Sequence, residues 1–353
     1  MFSDSKEESI RIPANDSLER LDQDMAKKSL DGFWRVRLSV PPEPTTNVKP
    51  FLWKWEDCYE SLVRAGKLVS PEDCDRRVVR LVNPGIEDRR GITTHTLQLG
   101  LQSVHPGEHA ASHRHMVVAL RFVVKGAGAF TTIEGQKCVM AEGDLILNPR
   151  FCWHDHTNHG SEPVVWLDGL DTPLIASLQQ KAFQVSPEPV QLIDIESDKV
   201  TALFGLARST VAVKNQLIHY KWKDTYPALK ALQASRAEAS PYDGYLLEYR
   251  NPVTGGPTLP SIQCAIQLLE PSKKTAAHRH TSTTIYHAFS GRGTTFIGGQ
   301  PFDWKKGDSF VVPLWYPHYH VNRSDSEEAL LFSMSDAPIL RPLELYREEP
   351  VAS

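Results

Sequence analysis

From about Arg77 onward the chain alternates short β-branched and aromatic runs with turns bearing Gly or Pro: RVVRLVN, THTLQLGLQSV, ALRFVVKG, GAFTTI, GDLILNP and VVWLDGL. Runs of this length, with turn signals about every eight to twelve residues, predict strands of an antiparallel sandwich or barrel. The pattern breaks around 190–245, where ALKALQASRAEA has helical character and SPYDG reads as a turn. It then resumes with SIQCAIQLLEP, TIYHAFSG, RGTTFIGG, DSFVVP and ALLFSMSD. Ahead of Arg77 the periodicity is helical. Leu18, Leu21, Met25 and Leu30 fall near one face, with Asp16 or Ser17 as N-cap candidate. KWEDCYESLVRAGKLV (54–69) predicts a second helix that stops before Pro71, and VPPEPTTNVKP connects the two. Residues 1–15 read as a loose polar arm.

The second β block repeats the first. PGEHAASHRH, ending at His115, matches EPSKKTAAHRH, ending at His280, and GDLILNPRFCWHDHTN (143–158) matches GDSFVVPLWYPHYHVN (307–322). His278 lies 165 residues after His113, and His318 lies 164 after His154, so the copies keep register to within one residue. Two copies of one domain explain this. The expected layout is an arm with helices over 1–75, a first β domain over 76–185, a linker with a short helix over 186–245 and a second β domain over 246–345.

A chain of 353 residues with 41% hydrophobic and 23% charged positions can bury one large or two medium cores. Lys plus Arg (39) nearly balances Asp plus Glu (43), so there is no basic field to hold nucleic acid or coat an anionic membrane. No apolar run approaches the roughly 18 residues of a membrane span, and MFSDSKEESI lacks the basic-then-apolar pattern of a signal. The five cysteines are scattered and form no CxxC pair, which argues against a disulfide framework or a thiolate zinc site and for a reducing cytoplasm.

Histidine supplies the candidate chemistry. Ten of the 14 fall inside the two repeated windows: His113, His115, His154, His156 and His159, then His278, His280, His287, His318 and His320. Residues two apart on a strand share a face, so His113 pairs with His115, and His154 with His156 if WHDH is also a strand. Two such strands in a small barrel place three imidazoles on one metal and leave the rest of its coordination sphere open. A single HRH is more often a hydrogen-bonded or surface histidine. His154 at this spacing, followed by Asn158, changes that balance. Neutral imidazoles leave the charge of a divalent ion uncompensated and positions free for further ligands, and Fe, Zn, Ni or Cu would all accept such a set.

Gly107-x5-His113-x-His115 and Gly143-x5-Pro149-x4-His154-x3-Asn158 resemble the two motifs of the cupin superfamily. The fourth ligand usual there, a Glu, is replaced by Ala119 or Leu120, leaving a three-histidine site. The longer strings RRVVRLVNPG, AASHRHMVVALRFVVKG and WHDHTNHGSEPVVWLDGLD resemble the gentisate 1,2-dioxygenase family, with its salicylate, 5-nitrosalicylate and 1-hydroxy-2-naphthoate relatives, over roughly 30–345. The resemblance implies a mainly β bicupin: two double-stranded β-helix (jelly-roll) barrels with an N-terminal helical extension. It implies an Fe(II)-dependent, extradiol-type dioxygenase of aromatic-compound degradation. Such an enzyme inserts both atoms of O2 and cleaves the ring of gentisate, or of a related 5-substituted salicylate, between the carboxyl- and hydroxyl-bearing carbons. His113, His115 and His154 would hold the iron, and a homotetramer is implied.

Around that triad, Arg121 has the parity of His113 and His115 and would face the same interior on a continuous strand. Its fork suits a substrate carboxylate, with a barrel-closing ion pair as the structural alternative. His156 resembles the family histidine that helps hold the carboxylate. Gln102 and Asp168 match family pocket positions, Asp168 near the ring carbon opposite the ortho-hydroxylated edge; a turn residue in LDGLD is its plainer reading. Arg77 matches a further family arginine or is a surface charge of its RR pair. Gln98 stands where the family usually carries Tyr or Trp, which turns the expectation from plain gentisate toward salicylates with another 5-substituent. His95, His105, His109 and His219 receive no functional role. The second copy keeps His278, His280 and His318 as a second, weaker metal site, but Tyr286 and Ser333 replace Arg121 and Asp168, so a structural, oligomerising role is expected there. The competing classes are an isomerase-type cupin and a ligand-binding bicupin. Ionisable groups retained beside the triad favour the dioxygenase.

Overall fold

The computed structural model describes residues 17–34, 41–70, 74, 76–87, 92–203, 218–235, 238–252 and 254–351. The polar arm and Asp16 lie outside them. Residues Met1–Thr45 form one compact unit, Thr46–Ser353 another. In the first, the helix Leu18–Lys27 starts at Ser17, whose Oγ accepts a hydrogen bond from the Arg20 N–H at 3.2 Å. No residue of that helix is buried.

The larger unit holds both β domains, each made of two sheets. In the first domain one sheet runs His219–Tyr220, Leu145–Asn148, Ala119–Lys125, Val164–Leu170, Gln98–Val104, Val78–Arg80. The other runs Phe183–Val185, His109–His115, His154–Asn158, Ala129–Ile133, Gln136–Val139, Ile195–Glu196. The second domain repeats this with Phe51–Trp53, Ser309–Val312, Thr284–Ser290, Ala329–Ser335, Gln263–Leu269, Tyr245–Glu248 against Gln300–Lys305, Arg292–Ile297, His318–Asn322, His278–His280, Glu348–Pro350. This is a duplicated jelly roll, mainly β, as expected. Among the described residues no helix is long and apolar enough to cross a membrane.

The central strands of the first-named sheet of each domain are buried on both faces, which explains their near-continuous apolar runs. One face lines its own barrel and the other meets the sister barrel, where Phe122 stacks on Phe332 with centroids 4.0 Å apart. The strand period of two therefore sends Phe122 toward the sister barrel and its neighbour Arg121 into the first barrel's interior.

The repeat extends further upstream than the histidine windows reveal. KWEDCYESL (54–62) and KWKDTYPAL (221–229) are equivalent, and each follows a short strand that joins the other domain's sheet. Trp53 pairs with Ser309, and Tyr220 with Leu145. Each exchanged segment is fixed by a buried aspartate. Asp308 accepts the Trp55 N–H at 2.8 Å and the Lys54 ammonium at 3.2 Å. Asp144 accepts the Trp222 N–H at 2.8 Å and contacts His219 Nε2 at 2.9 Å. The glycine before each aspartate, Gly143 (φ +89°) or Gly307 (φ +95°), takes the left-handed turn and leaves room for the tryptophan ring, which a Cβ would meet at about 2.5 Å. The helices Trp55–Leu68 and Trp222–Ala234 then lie back on their own domains through buried Leu62 and Leu229.

The boundaries expected at residues 75 and 345 therefore shift. Strand 51–53 and its helix belong to the β body, and Glu348–Pro350 is an edge strand of the second barrel. Asp308→Ala strands the Trp55 and Lys305 N–H groups, while the Lys54 ammonium keeps the Asp303 carbonyl. The substitution is expected to cost about 2–4 kcal/mol, read as a lowered denaturant midpoint; an unchanged midpoint would show that the exchanged strand is not held this way.

Candidate metal and substrate site

The three histidines of the first domain meet on one sheet. His113 and His115 come from strand His109–His115, and His154 opens the neighbouring strand, directly opposite His113 in register. Their ring centroids lie 4.4–5.3 Å apart, and one ligand atom from each falls within 4.8 Å of the others. Nδ1 of His115 is 2.9 Å from the Val117 carbonyl and Nδ1 of His154 is 3.0 Å from the Cys152 carbonyl. A carbonyl only accepts, so both Nδ1 atoms carry their protons and both Nε2 lone pairs are left for a metal. Burial pushes His115 down to about 4 and His154 well below the usual imidazole range. Neutral imidazoles, locked tautomers and convergent nitrogens fit a divalent ion.

Asn158 of the second motif acts on the backbone. Its Nδ2 donates to the Val104 and Glu162 carbonyls at 2.9 and 2.8 Å, which fixes the turn after the His154 strand.

Arg121 reaches this site by a different route from the one its parity implies. The chain bends at Met116–Val118, so Ala119–Lys125 belongs to the facing sheet and Arg121 approaches the triad from across the barrel. It is 2% exposed, and its Nε and Nη1 have no hydrogen-bond partner among the described residues. Burial lowers it to about 10, still cationic at neutral pH, and the Asp168 carboxylate opposes that fall. Asp168 sits opposite Arg121 in register; burial raises its pKa against the pull of Arg121. His156 is 1% exposed, lies 5.2 Å from the Trp166 ring of the facing sheet and has no hydrogen-bond partner on either ring nitrogen among the described residues. Burial first, then the Arg121 charge, holds it well below the usual range. Gln102, 2% exposed, pairs with Trp166 and lines a cavity of about 130 Å³ with Arg76, Arg77 and Glu108. Gln98 is half-buried at the start of its strand, opposite Leu170.

Arg77 is already engaged. It forks onto Glu108 at 2.8 and 3.0 Å, and its Nε and Nη2 donate to the Val69 carbonyl. The structure thus makes it a wall anchor, because a guanidinium bound on two sides has little left to offer a carboxylate. Its neighbour Arg76, passed over in the sequence, projects positive charge onto His115, His156, Arg121 and Asp168. Two adjacent arginines look alike in sequence, and only the fold separates them.

The second triad is as fully built as the first. His278, His280 and His318 cluster within the same 4.8 Å limit, with Nδ1 atoms 2.8, 2.8 and 3.1 Å from Glu348 Oε1, the Ser282 carbonyl and the Tyr316 carbonyl. Nε2 of His278 and of His318 is buried without a hydrogen-bond partner among the described residues. Glu348 was not anticipated. It occupies the register position of Phe183, whose ring lies 4.7 Å from His113, and carrying the 165-residue offset to the end of the chain would have found it. A cavity of about 610 Å³ opens over this triad, larger than the one beside Gln102, but its depth carries Tyr286, Gln267 and Ser333 where the first barrel has Arg121, Gln102 and Asp168. Chemistry and volume point to different barrels. The larger cavity lies in the second barrel and the buried guanidinium in the first.

Two jelly rolls with inward histidine triads define a bicupin, and the cupin domain family matches residues 100–169 and 265–335. The chain is 39% identical over 345 residues to 5-aminosalicylate 1,2-dioxygenase of Comamonas sp, covering 95% of this chain and 91% of that protein. It is 37% identical to gentisate 1,2-dioxygenase 1 of Aquipseudomonas alcaligenes, over 90% and 91% of the two chains. The solved salicylate 1,2-dioxygenase of Pseudoaminobacter salicylatoxidans, in its gentisate adducts, superposes with a TM-score of 0.87 at 28% identity, over 98% of this chain and 97% of that one. The chain belongs to the gentisate 1,2-dioxygenase family of ring-cleaving bicupin dioxygenases.

Proposed function

We propose that the first barrel is an Fe(II) centre that cleaves gentisate or a 5-substituted salicylate between the carboxyl- and hydroxyl-bearing carbons, with both atoms of O2 entering the product. The observation that carries this reading is the unpartnered pair Arg121 and His156 beside three neutral imidazoles. A buried guanidinium with two idle donors is costly unless an anion completes it. Iron bound by His113, His115 and His154 would supply a Lewis-acidic centre where an anionic chelate and dioxygen meet. Arg121 binds and orients the substrate carboxylate through its guanidinium fork, and His156 adds a hydrogen bond from the same side. Asp168 balances the Arg121 charge and faces the ring, and Gln102 closes the wall. The buried faces of both sheets exclude water, so these contacts act at low dielectric.

The second triad is proposed to bind metal in support of structure, without turnover, since Tyr286 offers no charge to a carboxylate. We also propose a cytoplasmic homotetramer. The free cysteines suit a reducing compartment, and Phe183 (51% exposed), Val185 (67%) and Leu192 (87%) leave apolar surface for a second copy to cover.

Anaerobic Fe(II) reconstitution followed by an oxygen-electrode screen of gentisate, salicylate, 5-aminosalicylate, 5-nitrosalicylate and 1-hydroxy-2-naphthoate tests the reading. The expected result is stoichiometric oxygen uptake with a ring-opened chromophore for at least one of them; no uptake with any would sink it. Gln98→Tyr is expected to shift the kcat/KM ratio toward gentisate by roughly 10-fold, the scale of one hydrogen bond. An unchanged ratio would remove Gln98 from the account of specificity.

A further inference from the structure

We infer that each metal centre is positioned in part by the opposite cupin: Asp171 and Ser261 hold the His115 ligand of the first triad, and Asp336 and Thr96 hold His280 of the second. The inference rests on the reading of the triads as metal centres. The His115 Nδ1–H donates to the Val117 carbonyl at 2.9 Å, and the N–H of the same peptide unit, from Val118, donates to Asp171 Oδ1 at 2.9 Å. That unit is planar and stiff, so the imidazole and the carboxylate grip opposite ends of one rigid plate. Bonds in such a chain polarise one another. A carboxylate on the N–H makes the carbonyl a stronger acceptor, which in turn raises the basicity of Nε2 toward a metal.

Asp171 is itself fixed from the other domain. Ser261, which belongs to the second cupin, donates its hydroxyl to Asp171 Oδ2 at 2.5 Å. Arg150 reaches the same oxygen at 2.6 Å and the Met116 carbonyl at 2.7 Å, and Asp171 is 0% exposed.

The second triad repeats the chain with the domains reversed. His280 Nδ1–H donates to the Ser282 carbonyl at 2.8 Å, Thr283 N–H donates to Asp336 Oδ1 at 2.8 Å, and Thr96 of the first cupin donates to Asp336 Oδ2 at 2.6 Å. Every member, from the histidine to the hydroxyl, is 165 residues from its counterpart. One difference stands out. Phe151 and Trp315 make equivalent backbone bonds to His115 and His280, which places Leu314 where Arg150 stands, so the arginine support of this aspartate is confined to the first centre.

Cobalt(II) is the probe, in full-length protein carrying one triad at a time: His278→Ala/His318→Ala leaves the first, His113→Ala/His154→Ala the second. Ser261→Ala is expected to speed Co(II) release to a chelator from the first triad by roughly three- to tenfold, below the about 10–100-fold of a direct ligand partner. It should also shift the visible d–d bands of that triad and leave the second unmoved. Thr96→Val is expected to do the reverse, and Ser261→Thr to behave as wild type, because threonine fills that role in the other copy. Unchanged release and bands in both Ser261→Ala and Thr96→Val would overturn the inference. So would equal loosening of both triads together with a lowered Tm, the mark of general destabilisation. Absence of the d–d bands when the first triad alone is kept with its supports intact would instead overturn the metal reading.

Discussion

His113→Ala is expected to remove the metal of the first barrel and reduce oxygen uptake to background, while the second triad keeps its own ion. With three histidines and no carboxylate in the set, each imidazole is a third of the protein's hold on the ion. The cavity left is small, and the neighbouring strands remain paired through Ala110 and His156, so the fold should survive. Metal analysis per chain, circular dichroism and the oxygen electrode together read the outcome. Retained turnover in His113→Ala, with loss in His278→Ala, would move the reaction to the second barrel, where the larger cavity lies.

Arg121→Ala is expected to lower kcat/KM by about 10²–10³-fold with iron content unchanged. Loss of one partner of a buried charge pair costs on the order of 2–5 kcal/mol, and the partner proposed here is the substrate's carboxylate. Arg121→Lys should recover only part of the loss, because an ammonium cannot present the two parallel donors of a guanidinium. Removing Arg121 also leaves Asp168 without its opposing charge, so that carboxyl should be protonated more readily in the variant. Equal loss of iron and activity in Arg121→Ala would make the arginine a structural element of the barrel.

Much of this site is legible in the chain because cupin chemistry is local. HRH and the later His154 each sit on a short strand, and a period of two is enough to place their side chains on one face. The duplication is legible for the same reason, since the Gly-Asp turn at 143–144 recurs at 307–308. Non-local features are harder to read. Arg121 faces the triad from the opposing sheet, although parity along one strand predicts its direction for the wrong reason. Arg77 and Arg76 are adjacent and identical in type, yet one is clamped by Glu108 and the other sends its charge into the site. Glu348 lies 70 residues from the histidine it supports.

By itself, then, the amino-acid order determined the strand segments, their duplication, the two histidine triads and the uncharged residues that replace Arg121 and Asp168 in the second copy. Each is written in neighbouring residues or in a fixed repeat. Only the tertiary structure decided that Arg77 is clamped by Glu108, that each barrel completes its sheet with a strand borrowed from beside the other, and that Ser261 and Thr96 bond across the domain boundary to the aspartates beside the histidine triads. Those relations depend on how two folded barrels meet, and the repeat that marks equivalent residues does not say that Asp171 and Ser261, 90 positions apart, or Thr96 and Asp336, 240 apart, come into contact.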